Sequence, residues 1–199
     1  GFVAAAPGPI STDGGCSFGS AFEDYDNDGD LDLFVANGFC NGLIVNFLYK
    51  NDGAGNFVRD QDALPSFITP CSYGAAWGDL NDDGSPDLVV ANCKKTNTAP
   101  QSNHSVFINN GNGNNWLKIK LIGVTSNLSA IGARIRVSTN NGGQALHQIR
   151  EISAQSGYCG QNSLTAHFGA GASAQIDSIS IRWPSGLIQT LGITPVNQT

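Results

Sequence analysis

Two short acidic segments carry carboxylates at a spacing that suits a metal ion. In the first segment, aspartates alternate with other residues around a central glycine, at Asp24, Asp26, Asp28, Asp30 and Asp32. Like charges this close repel one another unless a cation lies among them. Gly29 permits the backbone conformation of a tight loop, and Ca²⁺ accepts about six to eight oxygen ligands. The segment is therefore predicted to be a calcium-binding loop.

The second segment repeats this pattern further along the chain. Its oxygen-bearing residues at the matching positions are Asp79, Asn81, Asp83, Ser85 and Asp87. Gly84 falls where Gly29 falls in the first copy. One acidic run could be a solvated loop, but two copies in register favour metal binding. The sequence therefore predicts two Ca²⁺ sites.

Apolar segments on both sides of each loop predict the strands that position it. Residues 17–22 lead into the first loop, and Leu31, Leu33 and Val35 alternate with other residues after it. The second repeat has the same order of parts. A four-stranded unit of this length is the size of a propeller blade.

From Trp116 onward no acidic loop recurs and the pattern changes. Apolar and polar residues alternate over 117–121, 133–137, 164–168 and 179–183. Four amphipathic strands joined by glycine-bearing turns are typical of a small antiparallel sheet or sandwich.

Together these patterns predict an all-β protein, in keeping with only 13% charged residues and 25 glycines. Two propeller-blade-like four-stranded repeats would be followed by a C-terminal antiparallel β-sheet or sandwich module. The predicted divisions are an N-terminal arm over 1–15, repeats over about 16–60 and 71–115 (together 16–115), and the module over 116–199.

The repeats resemble a known family. Phe-Gly before a D-x-D-x-D-G-x-x-D loop, then an apolar strand and an N-D-G-x-G turn, is similar to the FG-GAP (or VCBS) repeat. Such repeats build calcium-carrying blades in integrin α propellers and in many secreted bacterial proteins. The resemblance implies that Asp30 and Ser85 ligate through main-chain carbonyls, and it gives Asp82 no ligand role. It implies side-chain ligation by Asp24, Asp26, Asp28, Asp32, Asp79, Asn81, Asp83 and Asp87.

The C-terminal part resembles a second family. Its sequence words are A-I-G-A-R at 130–134, S-G-Y at 156–158, Q-N-S-L at 161–164, H-F-G at 167–169 and R-W-P-S-G at 182–186. They are similar to the ASPIC/UnbV module, which commonly follows FG-GAP repeats in secreted proteins. The two resemblances together cover nearly the whole chain past residue 15.

Five cysteines bear on the cellular compartment, and four of them fall at matching repeat positions. The simplest pairing is Cys16 with Cys40 and Cys71 with Cys93, each bracketing one acidic loop. Crosswise pairing stays open, because connectivity cannot be deduced from sequence, and Cys159 is left over. Disulfides indicate an exported protein, whereas five buried thiols would indicate a reducing compartment.

The composition also limits location and partners. There is no methionine, so Gly1 is expected to be a processed end left by removal of an export signal. No stretch reaches the roughly 20 apolar residues that span a membrane. The net charge of −6 argues against nucleic acid as a partner. An extracellular or cell-surface location is predicted.

No catalytic site is predicted. Residues 15–19 match the G-x-S-x-G motif of hydrolases, but they lead into a strand and a metal loop rather than a helix. The histidines His104, His147 and His167 form no metal-binding motif.

The predicted function is that of an exported calcium-binding structural or adhesive protein. Two blades cannot close a ring, so the favoured hypothesis is self-assembly into a homo-oligomer or filament. Two alternatives stay open, that the chain is part of a longer one or that its blades pack against the C-terminal module. The alternative function is a carbohydrate-binding (lectin-like) module of a larger secreted protein, with a glycan or cell-surface protein as partner. Trp77, Trp116 and Trp183 fit core positions at least as well as a sugar platform.

Overall fold

The computed structural model describes residues 1–4, 6–38, 45–63, 65, 71–93, 103–141 and 143–199. In these ranges the regular structure is β apart from the short helix α1 (Pro9–Thr12), and every paired strand is antiparallel to its neighbour. The predicted all-β fold class is therefore confirmed. No helix in the described part of the chain is long and apolar enough to cross a membrane.

The first repeat forms a four-stranded sheet in which each strand pairs with the next along the chain. Its strands are β1 (Ser17–Glu23), β2 (Asp32–Asn37), β3 (Phe47–Asn51) and β4 (Phe57–Arg59). The N-terminal arm lies against this sheet, since Asp13 accepts a hydrogen bond from the Tyr49 hydroxyl at 3.1 Å and lies 3.8 Å from the Arg59 guanidinium. The acidic loop is the connection between β1 and β2.

The second repeat reproduces the first with the same register. Its strands are β5 (Ser72–Gly78), β6 (Asp87–Asn92) and β7 (Ser105–Phe107). A bulge between Ser72 and Gly74 matches the bulge between Ser17 and Gly19. A Cβ on Gly19 would lie 2.7 Å from the Tyr73 carbonyl oxygen. The glycine after each aromatic residue is thus required where neighbouring backbones approach closely.

The fourth strand of the second repeat joins a different sheet. The sequence predicts four strands here, but the described sheet contains only β5, β6 and β7. Strand β8 (Asn115–Ile119) follows the second repeat's turn as β4 follows the first, yet it pairs with β11 (Ala166–Gly171). This pairing places Leu117 opposite Phe168, and both side chains are buried in the C-terminal module. Burial of these two large apolar side chains favours the exchange.

The C-terminal module packs three small sheets around one core. The largest has the strand order β10 (Gln144–Glu151), β9 (Arg134–Asn141), β13 (Ser178–Arg182) and β14 (Ile188–Leu191). The other two pair β8 with β11, and β12 (Gln175–Ile176) with β15 (Thr194–Pro195). Alternate residues of β9 and β13 point inward, as the period-two pattern predicts. The buried side chains include Ile135, Val137, Phe168, Ile176, Ile179 and Ile181.

The two repeats share a second core. Phe34 and Leu48 of the first repeat pack with Trp77, Leu88 and Val90 of the second, and all five are buried. Trp77 meets Phe34 edge-on with ring centroids 6.5 Å apart. The repeats therefore bury one apolar face against each other.

The cysteines follow the predicted brackets as far as the described residues reach. Cys71 and Cys93 form a disulfide across the second acidic loop. Cys16 is also disulfide-bonded, and its predicted partner Cys40 lies outside the described residues. Cys159 is an exposed thiol.

Candidate metal centre

The first acidic loop brings three carboxylates together. Oxygens of Asp24, Asp26 and Asp28 all lie within 4.8 Å of one another. Asp24 is fully buried and Asp26 is 8% exposed. The loop reverses direction through Asn27 (φ 58°) and Gly29 (φ 103°), which lie in the left-handed region. The alternate spacing therefore turns these three side chains toward one point.

Buried oxygens without partners make this loop a candidate cation site. Asp24 Oδ1, Asp26 Oδ1 and Asp30 Oδ1 are buried and accept no hydrogen bond. A buried carboxylate oxygen left in this way is costly unless a cation or a donor satisfies it. Carboxylates of this kind are the ligands that Ca²⁺ prefers. The donor set of the first loop therefore fits calcium.

Backbone N–H groups hold the carboxylates at both ends of the loop. Asp24 Oδ2 accepts hydrogen bonds from the N–H groups of Gly29 and Gly169, both at 3.0 Å. Asp32 Oδ1 accepts from Asn51 at 2.8 Å, and its Oδ2 accepts from Tyr25 at 3.3 Å. These bonds orient the two carboxylates before any ion binds.

The electrostatics of the loop oppose full ionisation without a cation. Burial, together with the charges of neighbouring aspartates, raises the pKa of Asp32 to about 8 and that of Asp30 to about 6. Burial likewise raises the pKa of Asp24 well above its usual range. A divalent cation among these groups would favour their charged forms.

Lys50 of β3 provides positive charge at the edge of the loop. Its ammonium pairs with Asp26 and lies 3.7 Å from Asp28 Oδ2. The hydrogen bond to Asp26 raises the pKa of Lys50, so the side chain is charged. The Lys50 side chain is 48% exposed, and it has room to turn toward solvent.

The second acidic loop has the same backbone conformation as the first. Asp82 (φ 62°) and Gly84 (φ 86°) match Asn27 and Gly29. The Gly84 N–H donates to Asp79 Oδ2 at 2.8 Å, as Gly29 does to Asp24. The two loops therefore share the local geometry that the sequence predicts.

The side chains of the second loop are arranged differently. Among the described residues, its carboxylates form no cluster like that of the first loop. Asn81 and Asp83 are exposed, and the Asn81 amide donates to Asp83 Oδ2 at 2.7 Å. Lys118 of β8 binds Asp79 at 2.8 Å and also pairs with Asp82, to which the family resemblance gives no ligand role. Among the described residues, the structure thus groups three of the predicted ligands of the first loop, Asp24, Asp26 and Asp28, and groups no three carboxylates of the second loop in this way.

Residues of the C-terminal module that sequence reasoning missed contact the first loop. Besides the Gly169 N–H on Asp24, the Gly171 N–H donates to the Asn27 carbonyl at 2.9 Å. The His167 Nε2 lies 2.5 Å from Asn27 Oδ1. Burial lowers the pKa of His167 to about 3, so the ring is neutral and its Nε2–H donates. In the sequence, residues 167–169 stand out only through the H-F-G motif of the second family. That motif gives no indication of contact with the first acidic loop.

The central glycine of each loop faces the C-terminal module. A Cβ on Gly29 would lie 2.2 Å from Leu146 Cδ2, and one on Gly84 would lie 1.8 Å from the Trp116 ring. The Asn27 amide also donates to the Gly84 carbonyl at 3.0 Å and so links the two loops. Glycine is therefore required at positions 29 and 84 for two reasons. The backbone φ angle is positive there, and a side chain of the C-terminal module occupies the space that a Cβ would need.

The remaining candidate residues have structural contacts. Ser17, the serine of the G-x-S-x-G match, lies on β1 and donates to Asn37 Oδ1 at 2.9 Å. His104 Nδ1 accepts from the Asn92 N–H at 3.2 Å, and His147 contacts the Ser138 hydroxyl at 2.9 Å. The stretch at Ser17 is a strand feeding a loop, not the strand–turn–helix elbow of a hydrolase.

Comparison with known proteins supports the two modules and their order. Residues 24–90 match the family model described as an FG-GAP-like repeat, and residues 123–199 match ASPIC and UnbV. The predicted order of the two families is confirmed, whereas calcium binding stays a prediction.

The chain is also similar to proteins named cartilage acidic protein 1. It is 28% identical to the Xenopus tropicalis protein over 175 residues, which are 85% of this chain and 26% of that protein. It is 28% identical to the human protein over 177 residues, which are 82% of this chain and 24% of that protein. The chain thus spans about a quarter of the length of these relatives.

Proposed function

Because an FG-GAP-like segment is followed here by an ASPIC and UnbV module, we propose that the protein is an exported calcium-binding protein. Its role is structural or adhesive, and it is not an enzyme. Calcium held by the first acidic loop fixes the β1–β2 connection and the surfaces that pack on it. The three buried, unpartnered oxygens of Asp24, Asp26 and Asp30 are the observation that carries this proposal.

Calcium would act here by joining three parts of the chain. The loop contacts the C-terminal module through Gly169 and the second loop through Asn27. Asn112 and Asn114 also donate to the Asp26 carbonyl, at 2.6 and 2.9 Å. An ion that orders Asp24 and Asp26 therefore stabilises the whole interface, and no group in it is required to react.

Calorimetric titration of calcium into chelator-stripped protein tests this role. Asp26→Asn removes one carboxylate from the cluster and is expected to abolish or strongly weaken binding. Asp62→Asn is the matched control, because Asp62 is exposed and lies outside both loops. Loss of binding in both variants, or in neither, would contradict the proposed site.

An extracellular or cell-surface location fits three observations. Cys71 and Cys93 form a disulfide, which is typical of oxidising compartments. The chain carries a net charge of −6, and the relatives that it matches carry the name cartilage acidic protein 1. We expect transfected cells to secrete the protein into the medium. Mass spectrometry of the secreted protein is expected to find the Cys71–Cys93 disulfide intact.

Assembly through open blade edges forms the second part of the proposal. β4 ends the first sheet, and β7 ends the described part of the second. Each exposes a valine, with Val58 64% and Val106 58% exposed. Unpaired strand edges of this kind add further strands, so these edges bind further blades in a homo-oligomer or filament. A monodisperse 20.8 kDa monomer in light scattering with calcium present would contradict assembly between copies.

Carbohydrate binding stays a prediction that no contact in the described residues favours. Trp77 is 5% exposed in the shared core, and Trp116 packs on Gly84 and His167. Trp183 packs against the core of the C-terminal module, and its Nε1–H donates to Gln189 Oε1 at 3.3 Å. Binding of the calcium-loaded protein to a glycan array would support this function.

A further inference from the structure

The carboxylates of the second acidic loop already have partners from this chain. Asp79 accepts hydrogen bonds from the N–H groups of Asp83 at 3.1 Å and Gly84 at 2.8 Å. Asp83 accepts from the Ser85 N–H at 2.8 Å and from the Asn81 amide at 2.7 Å. In the described part of the chain, every buried carboxylate oxygen without a partner belongs to the first loop. Among the described residues, the second loop has no buried carboxylate oxygen that lacks a partner, and so it does not require a cation in the way that the first loop does.

The charge of the second loop is balanced by a lysine of the same chain. The Lys118 ammonium lies 2.8 Å from Asp79 Oδ2, pairs with Asp82, and lies 5.0 Å from the centre of the Trp116 ring. Its side chain is only 7% exposed. Lys118 is therefore a buried side chain whose ammonium pairs with two aspartates of the second loop.

The exchange of strand β8 explains how this lysine reaches the loop. β8 leaves the second repeat to pair with β11, and this path carries Trp116 and Lys118 across the loop. The lysine at the first loop, Lys50, lies on β3 and is 48% exposed, against 7% for Lys118. Lys50 can give way to an incoming ion, whereas moving Lys118 would open the contact between the module and the loop.

We propose, building on the calcium role proposed above, that Lys118 is the resident cation of the second loop. The chain then binds one calcium ion, in the first loop, and not the two that the repeated motif predicts. A divalent ion at Asp79 would lie beside a buried ammonium, and like charges in such a setting repel strongly. The second loop is held closed without metal, so it stays ordered when calcium is withdrawn.

Counting bound calcium by equilibrium dialysis with elemental analysis tests this assignment. The unmodified protein is expected to bind one ion per chain. Asp26→Asn is expected to bind none, and Asp83→Asn is expected to bind one. Lys118→Met, which removes the ammonium and keeps an unbranched apolar side chain, is expected to bind two. Lys120→Met is the matched control, because Lys120 is exposed just beyond β8, and it is expected to bind one.

Melting curves give a second readout for the same variants. Lys118→Met leaves Asp79 buried without its cation, so its melting temperature in chelator is expected to fall below that of Lys120→Met. Calcium is expected to restore more of the lost stability in Lys118→Met than it adds to the unmodified chain. If Lys118→Met does not fold, the ion counts for the unmodified, Asp26→Asn and Asp83→Asn proteins still decide the assignment.

The outcomes separate this assignment from the calcium role itself. No bound calcium in the unmodified protein would overturn the proposed function. Two ions in the unmodified protein would support the function and overturn the assignment of Lys118. One ion that is lost in Asp83→Asn and kept in Asp26→Asn would also overturn it, because the ion would then lie in the second loop.

Discussion

Replacing Gly169 by alanine tests whether the C-terminal module clamps the first acidic loop. The added Cβ would lie 2.3 Å from Asp24 Oδ2 and 2.5 Å from the backbone carbonyl carbon of Asn27. The Asn27 contact is with main chain, which cannot rotate away, so β11 must move off the loop. Overpacking of this kind costs about 1–3 kcal/mol, and losing a hydrogen bond to a charged group costs about 1.5–3 kcal/mol more.

The unfolded chain offsets part of this cost. Alanine restricts the unfolded state more than glycine and returns about 0.4–1 kcal/mol. The net loss is therefore expected to be about 1.5–5.5 kcal/mol in the free energy of unfolding. A loss of 1 kcal/mol lowers the melting temperature of a chain of this size by about 2–4 °C. Urea unfolding and thermal melts, each in chelator and in calcium, measure the change.

Gly192→Ala is the matched control for this experiment. A Cβ at Gly192 meets no atom within 4 Å, so its effect is expected to stay within about 0.5 kcal/mol. Gly169→Ala is also expected to weaken calcium binding, because Asp24 loses one of the two N–H groups that orient it. Equal stability and equal calcium affinity in the two variants would refute the clamp.

Two further predictions concern the charge of the loop and the core of the module. In chelator, Asp32 has a pKa of about 8 in the folded protein and therefore stabilises the fold only while its carboxyl group is protonated. The free energy of unfolding is thus expected to be higher near pH 4 and to fall as the pH rises through about 8. The increase in melting temperature that calcium produces over chelator should grow with pH, because the carboxylate ligands must be deprotonated to bind the ion. Curves of melting temperature against pH that run parallel in calcium and in chelator would contradict this prediction. Phe168→Ala should cost about 3–5 kcal/mol because Phe168 is fully buried, whereas exposed Phe2→Ala should change stability by under about 0.5 kcal/mol in the same urea titration.

Local patterns predicted the parts of the site that depend on neighbouring residues. Alternate aspartates around Gly29 converge because the geometry of one loop sets their directions, and the structure groups Asp24, Asp26 and Asp28 as that geometry requires. Period-two alternation likewise predicted β8, β9, β11 and β13 of the C-terminal module, with the inward faces of β9 and β13, but it did not predict β10, β12, β14 or β15. These features are determined within a few residues of chain.

Partners distant in sequence could not be predicted in the same way. Alternation marks residues 117–121 as a strand, but it does not specify whether the strand pairs with β7 or with β11. Lys118 falls on the polar side of that strand, and its contact with Asp79 follows only from the pairing. The contact between Gly169 and Asp24 spans 145 residues. The repeated motif therefore predicted equal loops, and the fold made them unequal.

The melting temperature in calcium, compared with that in excess chelator at pH 7.5, tests the central claim most directly. At a free calcium concentration a hundredfold above Kd, one bound ion adds about 2.7 kcal/mol. For a chain of this size that corresponds to an increase of about 5–10 °C. Superimposable melting curves in the two buffers, with no metal found in the protein by elemental analysis, would contradict the account.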